Sequence, residues 1–384
     1  MLKTSKELSL RAKTIIALAC FAVVFAGLTV VATFYDLDIS RILTKHSLSE
    51  GEYISHNGFA LLFETIGCCP IYLMGSIAGA IVFWFFWRKS GKLRILSVIG
   101  IAAAVAGFTL TVKDLFGYAA EYIGANLTDG SLVLAAHKLA GAGYLTAVSV
   151  VVGAMPAVCL LVAWGRIAKS TNDKMIWWAI AIVGTMIFFF VPHFIKGPVG
   201  RARFRTMNYL GDFDYYTRWY VLNGKRVLTA DGIVASTAET KAAIIVASDT
   251  CKSFPSGHTF SAGMIYTLLG LPYVSEKCAK KGVKLTLWLC TVAYVGLVAV
   301  SRIVAGAHFM SDVLFGGTIA FAGAMIMREI FVCKGCHVKA LFGKQAAVEA
   351  QAAAPETTEE VAQEDAAETT DEEGEALAED LPKD

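Results

Sequence analysis

The stretch SFPSGHTFSAGMIYTLLGLPY, residues 253–273, sets Pro255, Ser256, Gly257 and His258 at the mouth of an apolar run. The chain around it is 56% hydrophobic and 17% charged over 384 residues, with a mean hydropathy of +0.57. Soluble domains carry nearer a quarter charged residues. An apolar run in such a chain reads as a bilayer segment, which needs roughly 20 mostly apolar residues. Backbone in lipid must satisfy its own hydrogen bonds, so the segment is expected to be helical. Residues 259–273 are short for a span unless the helix extends into its polar flanks.

Working outward, seven further apolar runs fall at 14–34, 66–87, 95–112, 139–164, 175–195, 285–300 and 309–327. The fold class expected is all-α, a polytopic membrane bundle of about eight transmembrane helices. The first run exceeds the 7–15 apolar residues of a signal peptide. No small-residue cleavage site precedes Tyr35, so an uncleaved first helix is expected. Basic residues crowd every second connection: Arg88, Lys89, Lys92 and Arg94; Arg166, Lys169 and Lys174; Lys277, Lys280, Lys281 and Lys284. Lys3, Lys6, Arg11 and Lys13 precede the first span, and Arg328, Lys334, Lys339 and Lys344 follow the last. By the positive-inside rule these sides face the cytoplasm, with both termini.

Residues 351–384 hold 13 of the chain's 32 acidic side chains and one lysine. A near-neutral total therefore hides a basic membrane body and an acidic tail, expected to be disordered because it has no core to bury. The nine cysteines show no disulfide framework. Cys333-Lys334-Gly335-Cys336-His337 has c-type haem spacing, but the topology puts it on the cytoplasmic side, the wrong compartment for haem attachment. Three blocks are expected: residues 1–174 as N-terminal spans, 175–333 as a catalytic segment, and 334–384 as a basic stretch and tail.

Polar groups at membrane depth are expensive and suggest function. Three clusters stand on the outer side. Lys196, Arg201, Arg203 and Arg205 put four cations in ten residues, which suits an anionic headgroup or one converging anion. Ser256 is a good N-cap, Gly257 permits close approach, and a helix start is an anion site. Ser256 as a plain cap is equally natural. His308 and Asp312, spaced i, i+4, share a helix face, and Arg302 offers a bidentate anion binder. Alone, such a His/Asp pair is more often a structural hydrogen bond. Together, the clusters bring cations, two histidines and one carboxylate to one membrane face. Phosphoryl transfer asks for little beyond positioning and charge stabilisation.

The three clusters resemble the type-2 phosphatidic acid phosphatase family, which is related to the vanadium haloperoxidases. That pattern is Lys, six residues, Arg-Pro; Pro-Ser-Gly-His; and Ser-Arg, five residues, His, three residues, Asp. Lys196 and Arg203, Pro255 to His258, and Ser301, Arg302, His308 and Asp312 match it in order and spacing. Phe204 stands where the pattern has proline. The resemblance implies a six-helix phosphatase core with extra N-terminal helices. It implies His308 as nucleophile forming a phosphohistidine, Asp312 as its orienting partner and His258 as acid to the leaving group. Lys196, Arg203, Ser256, Gly257 and Arg302 would bind the phosphate. It implies no metal or other cofactor, no nucleic acid, and two partners: the bilayer and a lipid phosphate or diphosphate at the outer face of the plasma membrane. A vanadate-dependent haloperoxidase, or a non-catalytic lipid-phosphate binder or transporter, are the alternatives. The membrane setting argues against the first, and intact His308, His258 and Asp312 argue against the second. The loop 206–254 is long and aromatic, and is expected to pack at the membrane interface rather than select substrate.

Overall fold

The computed structural model describes residues 8–126, 143–168, 174–229, 232–235 and 249–342. The acidic tail, part of the 206–254 loop and the first four residues of the expected 139–164 span lie outside them. The main compact body is Ile15–Cys336, and among the described residues 8–14 and 337–342 fall outside it. The helices are α1 (Leu10–Thr44), α2 (Gly58–Gly67), α3 (Cys69–Trp87), α4 (Ser97–Asn126), α5 (Gly143–Ala168), α6 (Lys174–Ile187), α7 (Phe190–Val199) and α8 (Phe204–Leu210). They continue with α9 (Gly257–Gly263), α10 (Lys281–Val304), α11 (Met310–Met327) and α12 (Cys336–Phe342). A small hairpin pairs β1 (Arg226–Thr229) antiparallel to β2 (Gly232–Ala235), with Val227 opposite Val234.

Among the described residues, seven helical stretches are long and apolar enough to cross a membrane. The chain is an all-α, multi-pass membrane protein. The expected span at 259–273 is not one regular helix. Seven α-helical residues, Gly257–Gly263, pass into a ten-residue 3₁₀ helix, Met264–Tyr273. At ~1.5 and ~2.0 Å per residue the composite reaches about 30 Å, close to the hydrocarbon thickness. The tighter winding gives a short segment the reach that its residue count denies it.

The first helix is longer than its apolar run. Leu10–Thr44 continues a full ten residues past Phe34, and its buried residues Ala32, Asp36, Ser40 and Thr44 follow an i, i+4 spacing. One stripe therefore faces protein, while side chains such as Val23 and Phe34 stand exposed on the apolar outside. Helices α3 and α4 pack backbone to backbone over small residues. A Cβ on Gly100 would lie 2.3 Å from the Phe83 nitrogen, and one on Gly79 would lie 2.7 Å from the Gly100 oxygen. In lipid, where apolar burial drives little, such close approach is what holds helices together. The core joins Ile71, Met74 and Ile81 of α3 to Trp178 and Ile182 of α6, and to Phe260 and Met264. The Trp178 indole N–H donates to the Thr267 carbonyl at 2.8 Å, tying α6 to the 3₁₀ helix.

Candidate active site

The first cluster sits where α7 ends. Lys196 lies in its last turn, and Gly200 closes the helix in a left-handed conformation, φ +53°. A side chain there would also strike the Gly224 carbonyl, 2.0 Å from a Cβ at Gly200. Arg203 then precedes α8 with φ −81° and ψ 147°. That is the extended conformation imposed on a residue before proline. Phe204 reaches the same result by packing: it is 3% exposed and sits 5.3 Å from the Phe213 ring. Two backbone bonds hold the turn, Arg203 N–H to Thr250 O at 2.9 Å and Arg205 N–H to Gly306 O at 2.7 Å.

The second cluster is pinned to the third. The Ser256 N–H donates to the Asp312 carbonyl at 2.9 Å. A Cβ on Gly316 would lie 2.3 Å from the Ser256 oxygen, so only glycine lets α11 approach this turn. The Ser256 hydroxyl accepts from the Thr259 N–H at 3.3 Å and from the Thr259 hydroxyl at 3.0 Å, which is the capping role. A Cβ on Gly257 would meet the Lys196 ammonium at 3.5 Å, so the first cluster's lysine stands over the second cluster's glycine. His258 Nε2 lies 2.6 Å from the Tyr118 hydroxyl on α4.

In the third cluster, Gly306, φ +64°, turns the chain between α10 and α11. His308 N–H donates to the Arg302 carbonyl at 3.2 Å. His308 is 1% exposed and Asp312 is fully buried, with Nδ1 3.6 Å from a carboxylate oxygen, beyond hydrogen-bond reach. Asp312 is itself fixed by the Phe309 N–H at 2.8 Å, by the Ser253 hydroxyl and by Arg201 at 2.7 Å. Arg302, 1% exposed, pairs with Glu64 at 2.7 Å. Arg203 donates to the Ala307 carbonyl at 3.2 Å and to the Asp249 backbone at 2.8 Å. Losing one partner of a buried ion pair costs about 3–5 kcal/mol, because the other charge stays buried.

The electrostatics follow from burial among cations. Burial pushes His308 down to about 3, against the pull of Asp312 and with the push of Arg203 and Lys196. Arg203 beside Asp249 holds that carboxyl down at about 2. His308 is thus neutral at physiological pH, with a free ring-nitrogen lone pair.

The expected site residues therefore come together: Lys196, Arg203, Arg302, His258, His308 and Asp312 act on one another, with Ser256 and Gly257 at the turn between them. Four partners, Asp36, Glu64, Tyr118 and Ser253, were not read from the sequence. Asp36 and Glu64 are buried or nearly buried carboxylates beside apolar runs, and the cost of charge in a membrane was the signal that marks them. Arg201 was counted only as one of four cations. Tyr118 and Ser253 carried no signal. Away from this site, Glu329, Cys333 and Cys336 bring metal-ligand atoms within 4.8 Å of one another. Glu329 and Cys336 are engaged in other interactions as well. The nine cysteines are free thiols. Beside the imidazoles the countercharges to carboxylate are arginines and a lysine, a donor set suited to an anion rather than a metal.

The loop after the first cluster packs inward. Trp219 packs at a tilt 4.7 Å from Phe315 and donates to the Thr33 hydroxyl of α1 at 3.0 Å. Tyr216 meets Phe309 edge-on at 5.4 Å, while Tyr220 and Leu222 are exposed. Residues 177–333 match the model of the PAP2 superfamily. No curated protein and no solved structure matches the chain.

Proposed function

From the match of residues 177–333 to the PAP2 superfamily model, we propose that this membrane protein is a phosphatase that hydrolyses a lipid phosphate monoester or diphosphate through a phosphohistidine at His308. The observation that carries the reading is a buried His308 that faces Asp312 and sits among Lys196, Arg203 and Arg302. His308 attacks phosphorus through Nε2, the ring atom turned away from Asp312. Its ring gains positive charge as the bond forms, and Asp312, 3.6 Å from Nδ1, stabilises that charge. Lys196, Arg203 and Arg302 take the phosphate oxygens, where charge accumulates in the transition state. Glu64 holds Arg302 aimed until phosphate competes for it.

His258 donates the proton to the leaving oxygen. The surrounding cations oppose its protonation, so it takes a proton only when an anion offsets them. A bound phosphate is that anion, which couples arming of the acid to substrate binding. Tyr118, 2.6 Å away, holds the ring in place. Water then attacks the phosphohistidine, with His258 as base. No step needs a metal. The basic connections support an orientation with this site at the outer face.

The test is phosphate release from a panel of lipid phosphates by the purified full-length chain. Release that survives EDTA and is blocked by vanadate is expected. Loss in EDTA that magnesium restores would contradict the reading.

A further inference from the structure

The helix that lies farthest from the matched segment in sequence reaches the catalytic pair. Asp36 belongs to α1 and is 1% exposed. Its carboxylate accepts from the Ser311 N–H at 2.9 Å, from the Ser311 hydroxyl and from Arg201 Nη2 at 3.0 Å. Arg201, also 1% exposed, donates its other amino group to Asp312 at 2.7 Å and to the Ser311 hydroxyl at 2.7 Å. Its Nε donates to the Thr217 carbonyl at 2.8 Å, and its plane lies 4.1 Å from the Phe309 ring centre. Asp312 in turn faces His308. One guanidinium is therefore shared by two buried carboxylates. Its charge does not cancel Asp312 alone, and the surplus negative charge sits where the ring of His308 becomes positive.

We propose that Asp36 is a positioning residue for the catalytic pair: through Arg201 and Ser311 it fixes the Asp312 carboxylate, and so the attacking orientation of His308. The first helix is then a working part of the active site, although it lies outside residues 177–333. Remove the Asp36 charge while keeping its shape, and Arg201 swings its full charge to Asp312. Asp312 then supports a cationic imidazole less well, while the phosphate clamp of Lys196, Arg203 and Arg302 is untouched. The proposal rests on the phosphatase reading.

The experiment compares full-length wild type, Asp36→Asn and Asp36→Glu in detergent, with two ligands and with turnover. Orthophosphate reads the clamp. Vanadate, which takes a fifth ligand from a ring nitrogen, reads the placement of His308. Asp36→Asn is expected to bind orthophosphate as wild type does, to bind vanadate about 10- to 100-fold more weakly, and to lose kcat by a similar factor at unchanged KM. Asp36→Glu, which restores the charge, is expected to recover part of both losses. Unchanged vanadate affinity in Asp36→Asn overturns the proposal. So does an equal loss of orthophosphate and vanadate binding, which would mean that Asp36 supports the whole pocket. Wild type that binds vanadate but hydrolyses no phosphate ester refutes the phosphatase reading alone, because the vanadate arm still decides the role of Asp36.

Discussion

His308 shows what burial among cations does to one side chain. In the folded chain it stays neutral down to about 3. In an unfolded chain imidazole titrates near ~6.5. Between those values the unfolded state binds more protons, so stability is fully present above about pH 6.5 and is lost as pH falls toward 3. Each pH unit inside that window costs up to ~1.4 kcal/mol for one such group. His308→Gln keeps a polar side chain but cannot titrate. Thermal unfolding at pH 7.5 and pH 5 is expected to show a larger drop for wild type than for His308→Gln. Equal drops would mean that His308 is not held neutral.

At the scale of elements, the three clusters were legible because each is a short run of costly residues at a break between apolar runs. Lys196, Arg203, Ser256, Gly257, His258, Arg302, His308 and Asp312 all fall in one neighbourhood. Without the proline after Arg203 the backbone is still extended there, for a reason only packing reveals: Phe204, wedged near Phe213 and Phe309, holds it. The apolar run at 259–273 was read as a short helix, and hydropathy carries no sign of a switch to 3₁₀ winding at Met264. Asp36 escaped because the run at 14–34 stops two residues before it, while the helix does not stop until Thr44. Tyr118 escaped for a different reason. A tyrosine on an apolar helix reads as interfacial, and only tertiary contact with His258 marks it out. Periodicity finds helices, but which face of one helix meets another's side chain is a property of packing.

For the whole molecule, orientation is the claim with the widest consequences, since it decides which pool of lipid phosphate reaches His308. The basic connections assign Cys278 and Cys336 to the cytoplasm and the 206–254 loop to the outside. Cys251, in that loop, is 2% exposed and makes a poor reporter. Tyr220, 49% exposed, makes a better one. In intact cells carrying Tyr220→Cys, a membrane-impermeant thiol reagent is expected to label position 220 and to miss Cys278. Labelling of Cys278 with position 220 protected would invert the chain and place the site in the cytoplasm.

The account turns on a covalent bond from phosphorus to His308, and trapping that bond tests it most directly. Radiolabelled lipid phosphate, quenched during turnover, is expected to leave an acid-labile, alkali-stable phosphoryl group mapped to residue 308. His258→Ala should form it readily from radiolabelled nitrophenyl phosphate but on the order of 10²–10⁴-fold more slowly from lipid phosphate, because the proton to the leaving group is lost. The same variant should keep far more activity on nitrophenyl phosphate, whose leaving group needs little protonation, than on a lipid phosphate. His308→Ala should form no phosphoenzyme and turn over neither substrate. A phosphoryl group elsewhere in the chain, or wild-type turnover that persists in His308→Ala, would contradict the account.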